Sequence, residues 1–350
     1  MRTLIKDKNS FEYPFSEREK NIWGSSFSFK LKNFFEKLLP THHKKREQGV
    51  KIWSPENQQS QPLSKNDFPL IFIVHNGRPI LPSFLDHYRH IGVTRFVCVD
   101  DVSNDGTTEY LLSQKDVDIH FSNVRYKNAA RSKTWRELLA NKYGKNRWYL
   151  NVDVDEFLFT GCNSKMTISE YANLLYSQGF FRLPAPMIDM IPGGNLDDAV
   201  LKDHIKPWET CPYFDLDGYS GYSKSGGIKL YGGPRKRLWN ANAELMKYPL
   251  IYWDKHTSMG VSIHSPRPTY RNHAPICGAL LHFKIFADAE MASKEALNSK
   301  QYFDGSREYK LMYEYFRTKP EKKLTSKGSI RFENEETLIK YRMVKPFSQT

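Results

Sequence analysis

The chain predicts an α/β fold built on a mostly parallel, doubly wound sheet, and three observations point to it. Short apolar runs, "PLIFIVH", "TRFVCVDD" and "RWYLNVDVDEFLF", have the length and β-branched or aromatic content of buried strands. Segments of helical spacing, "ILPSFLDHYRHIG" and "ARSKTWRELLANKYG", lie among them, each closed by a glycine, Gly92 or Gly144. Carboxylates gather where two of the runs end: Asp100 and Asp101, then Asp153, Asp155 and Glu156. Strands alternating with helices form β-α-β units, and sheets of that kind bind ligands at the carboxyl ends of their strands.

In chain order, the first strand and helix lead to the strand ending at Asp101. "SNDGTTEYLLSQ" then supplies a turn and a capped helix, and "VDIHFS" a third strand. The Gly144-terminated helix leads into the strand that carries the acidic cluster. Before this core, residues 1–66 read as a basic extension. Within it "FSFKLKNFFEKLLP" spaces Phe27, Leu31, Phe34, Phe35, Leu38 and Leu39 as an amphipathic helix packed on the main domain, an interfacial helix on an anionic membrane being the alternative. The main domain is placed at 67–290. After it "ADAEMASKEALNSKQYFDG" and "SREYKLMYEYFRTKP" have helical spacing with polar faces and open a helical, basic tail, 291–350, from which no chemistry is read.

Composition narrows the class. With 350 residues, 39% hydrophobic and 14% aromatic, the chain can bury one large core or two modest ones. Four scattered cysteines form no C-x-x-C pair, which argues against a zinc ribbon, a redox motif or a disulfide scaffold and suits a reducing, cytoplasmic setting. No apolar run reaches membrane-spanning length, and the charged N-terminus lacks a signal-peptide core. A net charge of +13 calls for an anionic partner: a phosphate-bearing substrate, an anionic membrane face or nucleic acid. No zinc-finger spacing, RNP-like strand or basic-region heptad is present, so nucleic acid is not expected as a partner.

The acidic strand ends narrow it further. Converging carboxylates that stay ionised need a cation between them, and hard oxygen ligands suit Mg²⁺ or Mn²⁺. Neither G-x-x-x-x-G-K-[ST] nor G-x-G-x-x-G follows the first strand, which removes the P-loop and nicotinamide readings and leaves a metal-bound phosphate ligand.

At this point an ordered set of motifs resembles a known family. "VHNGRPILPSFLDHYRHIGVTRFVCVDDVSNDGTTEYL" is similar to the opening of the GT-A fold, family-2-like glycosyltransferases of the D-x-D-E-F branch: Asn76, an H-Y at His87 and Tyr88, and a D-x-S-x-D-G-T at Asp101 to Thr107. Gly77 stands where that family commonly has Glu. "VDVDEF" resembles its metal-binding segment, and "GGIKLYGGPRKRLWN" and "ALLHFKIF" two later ones, so the likeness spans about residues 70–290.

The resemblance implies a metal-dependent transfer from a UDP- or GDP-sugar to a glycan or lipid-linked acceptor, in cell-surface polysaccharide synthesis at the cytoplasmic side, with peripheral attachment to the inner membrane face as an option. It implies Asp155 as the direct Mn²⁺ or Mg²⁺ ligand, Asp153 on the same side, and His282 completing the shell, a core histidine being the alternative. Asn76 and Asp100 or Asp101 fall to nucleotide recognition. Asp105 reads equally as a turn residue. Arg235, Arg237 and Lys284 are candidates to hold the diphosphate, the two arginines sharing a face if their segment is a strand. An inverting transfer also needs a general base, for which Glu156, Asp217 and His264 are the leading candidates beside Glu209, Asp215 and His256. A sugar-nucleotidyl transferase and a non-catalytic basic module remain as alternative classes.

Overall fold

The computed structural model describes residues 10–15, 49–56, 58, 62–224, 227–260, 262–319 and 323–347. The helix expected at 27–40 lies outside them. Fourteen strands are described, beginning with two short ones, β1 (Ser10–Phe11) and β2 (Ile52–Trp53). The predicted core follows as β3 (Pro69–Val74), β4 (Arg95–Asp100), β5 (Val117–Ser122) and β6 (Arg147–Asp153), which pair in parallel in the order β5-β4-β3-β6. β3 is buried at every position, as a continuous apolar run between two parallel neighbours requires.

The sheet is larger and more mixed than predicted. Beyond β6 it continues through β12 (Met246–Trp253), β8 (Arg182–Asp189), β13 (Ala279–His282) and β7 (Glu156–Phe159), giving nine strands with β2 at the other edge. β12 runs antiparallel to β6 and β8, β7 antiparallel to β13, while β8 and β13 are parallel. Two smaller sheets join β1 to β10 (Ser220–Lys224) and β11 (Gly227–Tyr231), and β9 (Tyr213–Asp215) to β14 (Ser329–Arg331).

One consequence of this order places the site. β7 begins three positions after β6 ends, yet three strands stand between them. Four strand spacings in a flat sheet measure roughly 19 Å, and three residues of extended chain reach about 10 Å. The sheet must therefore curl until the start of β7 meets the end of β6. That curl brings the carboxyl ends of β6, β8 and β13 together with the amino ends of β7 and β12.

The helix Leu81–His90 holds the curl. Its buried residues include Leu81, Phe84, Leu85 and Tyr88, the i, i+3, i+4, i+7 stripe of a core-facing helix. The Tyr88 hydroxyl donates to Glu156 O at 2.8 Å and accepts from Leu158 N at 3.1 Å, and His87 Nε2 meets Leu158 O at 3.1 Å. The H-Y pair thus pins β7. Burial pushes the His87 imidazole down to about 4, keeping it neutral in this role.

The D-x-S-x-D-G-T stretch clamps the first loop. Three successive amides, Asn76, Gly77 and Arg78, donate to Ser103 Oγ (2.9 Å), Thr107 Oγ1 (2.9 Å) and Asp105 Oδ2 (3.0 Å). Asn76 Oδ1 accepts from Asn104 N at 2.9 Å. Gly77 is tight: a Cβ there would lie 2.6 Å from Val74 Cγ2. The glutamate common in the resembling family has no room at this position. Gly77→Ala is expected to lower stability by about 1–3 kcal/mol through overpacking, read as a shift in the denaturant midpoint with an unchanged slope.

All four cysteines are buried and free. Among the described residues, no helix is long and apolar enough to cross a membrane.

Candidate functional site

The curled edge gathers Asp153 from the end of β6, Asp155 from the turn, Glu156 from the start of β7, Lys247 near the start of β12, Asp189 at the end of β8 and His282 at the end of β13. Asp189 and His282 are register partners on neighbouring parallel strands, so backbone pairing alone sets them side by side.

The protein itself supplies part of the positive charge that these carboxylates need. Arg136 Nη2 donates to Asp153 Oδ1 at 2.5 Å and Lys247 Nζ to Asp153 Oδ2 at 2.6 Å. Lys247 also donates to the buried Glu156 Oε1, while Glu156 Oε2 accepts from Asp153 N at 3.0 Å. Burial would raise Asp153, but Lys247 and Arg136 outweigh it and hold the carboxyl well below its ordinary range. Burial costs Lys247 as well, yet Asp153 and Glu156 keep it charged. This cluster stiffens the D-x-D turn.

Asp155 has a different partner. Its Oδ2 lies 3.3 Å from His282 Nε2, and His282 Nδ1 meets Asp189 Oδ1 at 2.7 Å. Against the cost of burial, Asp155 and Asp189 raise the imidazole to about 9, so without a metal it is a cation at neutral pH, bound from both ring nitrogens. Asp189 in turn accepts from Arg235 Nε at 2.7 Å, and Arg235 Nη1 donates to Glu308 at 2.9 Å.

Asp155, Glu156 and His282 can each place one ligand atom within 4.8 Å of the others. Glu156 is enclosed and committed to Lys247, whereas the Asp155 side chain is 32% exposed. A carboxylate oxygen and an imidazole nitrogen, the latter oriented by Asp189, fit a divalent ion, and the mixed O and N set suits Mn²⁺ better than Mg²⁺. Asp153, expected beside Asp155 as a ligand, has both oxygens occupied by Arg136 and Lys247.

The other predicted residues divide between this edge and the loops around it. Asp100 accepts from Ser103 N at 2.9 Å and from the Thr108 hydroxyl, closing its own loop. Asp101 accepts from Arg125 Nε at 2.8 Å and Tyr126 N at 3.3 Å, fixing the loop that follows β5. Asp105 is the turn residue of the clamp.

Arg235 and Arg237 lie on a helix, Gly233–Trp239, where the sequence allowed a strand. They diverge, Arg235 to Asp189 and Glu308, Arg237 to Asp215 and Leu324 O. Pro234 in the first helical turn tolerates this because its missing N–H has no helical partner there. Lys284 reaches Glu308 at 3.4 Å and lies over the Tyr309 ring at 4.1 Å.

Of the base candidates, Glu156 is sealed behind Lys247. His264 Nδ1 binds Met246 O at 2.7 Å, and burial with Lys247 nearby pushes it down to about 3, which leaves it a poor proton acceptor. Asp217 is exposed on the turn before β10, its carboxylate against Gly328.

Sequence reasoning missed Lys247, Arg136, Asp189 and Glu308. A signal existed for two of them: Lys247 in "LMKYPLIYW" and Asp189 in "LPAPMIDM" are single charges in apolar strand runs, and a charge there needs a partner of opposite sign. The C-terminal helices also reach the site. Ala289–Ser299 and Arg307–Thr318 form a hairpin that brings Glu308 to Arg235, and Tyr302 lies with ring centroids 4.5 Å from Tyr309 and 5.7 Å from Tyr126.

No family model and no curated protein matches the chain. Solved structures with slight similarity include a 4-diphosphocytidyl-2C-methyl-D-erythritol synthase, at 14% identity over 37% of this chain and 64% of that one, under two thirds of its length, with a TM-score of 0.25. An apo UDP-glucose pyrophosphorylase matches at 7% identity over 72% and 98% of the two chains, TM-score 0.29. A UDP-glucose pyrophosphorylase from Acinetobacter baumanii matches at 8% over 79% and 92%, TM-score 0.25. Likeness this slight carries no inference, and the description as a mixed α/β protein rests on the sheet itself.

Proposed function

We propose that the chain is a metal-dependent glycosyltransferase of the GT-A type, using a UDP- or GDP-sugar and Mn²⁺, with a glycan or lipid-linked acceptor in cell-surface polysaccharide synthesis. The observation that carries the reading is the pairing of Asp155 with His282 at 3.3 Å on the carboxyl-end edge of the sheet, the two residues that the motif resemblance marks as metal ligands. A divalent ion held there supplies a Lewis acid for the charge that develops on a departing diphosphate. The chain's own residues do the rest of the positioning. Lys247 and Arg136 fix the turn bearing Asp155, Asp189 aims His282 Nε2, and Arg235, bound to Asp189, is joined to Lys284 through Glu308.

Calorimetric titration of UDP and of GDP tests this, with Mn²⁺, with EDTA, and with Asp155→Ala. Binding of one nucleotide is expected to require Mn²⁺ and to weaken by about 100-fold or more in the variant. Binding indifferent to both changes, or none at all, overturns the reading. Release of pyrophosphate from a nucleoside triphosphate and a sugar 1-phosphate would instead assign nucleotidyl transfer.

A further inference from the structure

Glu308 stands where a ligand anion would be expected. It is the second residue of the helix Arg307–Thr318, on the C-terminal hairpin, and it bridges two cations from other elements: Arg235 of the helix Gly233–Trp239 at 2.9 Å and Lys284, just after β13, at 3.4 Å. Arg235 is almost wholly buried and already has Asp189 on Nε. Its Nη2 is enclosed and has no hydrogen-bond partner. A buried guanidinium nitrogen left unsatisfied costs free energy, so Arg235 has donor capacity that Glu308 does not use.

The helix that carries Glu308 is held unevenly. Its far end packs Met312 and Phe316 into the core, with Phe316 5.8 Å from Trp239 by ring centroids. Its near end is held by polar and aromatic contacts to the site, and Glu308 itself is 27% exposed. The connection to the preceding helix runs through left-handed Lys300, Asp304 and Ser306, three non-glycine residues with φ of 53°, 49° and 65°. Backbone in that region is costly for such residues, so the near end carries local strain, held in place by the Ser306 hydroxyl on Ala296 O at 3.2 Å and by the ion pairs of Glu308.

We infer that Glu308 is an internal stand-in for phosphate: its carboxylate occupies Arg235 and Lys284 when no ligand is bound, and the phosphates of a nucleoside diphosphate displace it, drawing also on Arg235 Nη2. The inference deepens the transferase reading and rests on it for the nucleotide, but the anion subsite itself can be tested apart from nucleotide and metal. The carboxylate keeps the two cations paired in the free protein, and its departure couples phosphate binding to the position of Tyr309 and Tyr302 beside it.

The experiment is titration of inorganic pyrophosphate into the full chain in metal-free, EDTA-containing buffer, comparing wild type with Glu308→Gln and with Lys284→Ala/Glu308→Gln. Glu308→Gln is expected to tighten pyrophosphate binding about tenfold by removing the competing charge, and the double variant to lose that gain. An unchanged or weaker affinity in a folded Glu308→Gln protein overturns the inference. In wild type, saturating pyrophosphate should raise amide hydrogen exchange across residues 301–311, a readout that stands even if the variant fails to fold. Unchanged or slower exchange there overturns it equally. Should pyrophosphate behave as expected while UDP and GDP fail to bind with Mn²⁺, the anion subsite stands and the transferase reading falls.

Discussion

Lys247→Met is expected to destabilise the protein by about 3–5 kcal/mol, the cost of stranding buried carboxylates when their cation is removed. Methionine nearly matches the lysine stem in volume, so packing on β12 is kept and the loss is chiefly electrostatic. Asp153 would retain Arg136, but Glu156, buried completely, would retain only the Asp153 amide. The double variant Lys247→Met/Glu156→Gln should recover most of that loss, because glutamine still accepts from the Asp153 amide and carries no charge to strand. Chemical denaturation of the single and double variants measures both. A single variant within about 0.5 kcal/mol of wild type would show that Lys247 does not hold the acidic turn together.

The second large effect is a loss of stability at alkaline pH that Mn²⁺ removes. In the free protein His282 is raised to about 9, whereas an unfolded chain returns it to 6.5, so the folded state binds the proton more tightly. A folded value above the unfolded one contributes stability that is complete below pH 6.5 and is lost as pH climbs through about 9. The difference corresponds to about 3 kcal/mol. Thermal unfolding in EDTA should therefore show a falling midpoint across that window, and His282→Gln should flatten it. With Mn²⁺ present the imidazole must give up its Nε2 proton to become a ligand, so stability should hold level or rise instead. A midpoint independent of pH in EDTA would mean that His282 is not paired with Asp155 and Asp189 in solution.

Much of the fold was legible because its signals are local. β3 to β6 and the helices between them announce themselves through runs and spacings that depend on neighbours within a turn or a strand. "FLDHYRHIG" is a helix because its apolar residues recur on one face, and "SNDGT" is a turn because Asp105 and Gly106 suit one. The antiparallel half of the sheet was harder to place. β7, β12 and β13 look much like any short buried run, and nothing local says that β12 inserts between β6 and β8. The arginine segment 233–239 shows the same limit: glycine pairs and a proline allow strand, turn or helix, and packing chose helix.

By itself the sequence determined that Asp153, Asp155 and Glu156 cluster in one apolar strand run, while the turn that splits this run into β6 and β7 was not legible. His282 in "LLHFK" was marked by the motif resemblance alone, with a core histidine as the alternative. Only the tertiary structure decided how the three carboxylates divide their work. Lys247 lies 94 positions from Asp153 and 91 from Glu156, and Asp189 lies 93 from His282. Over such separations no spacing rule operates, because the contacts are made by the curl of the sheet and by register between strands far apart in the chain. Charge partners at a strand end are set by which other strand ends arrive there, and that is a property of the assembled sheet.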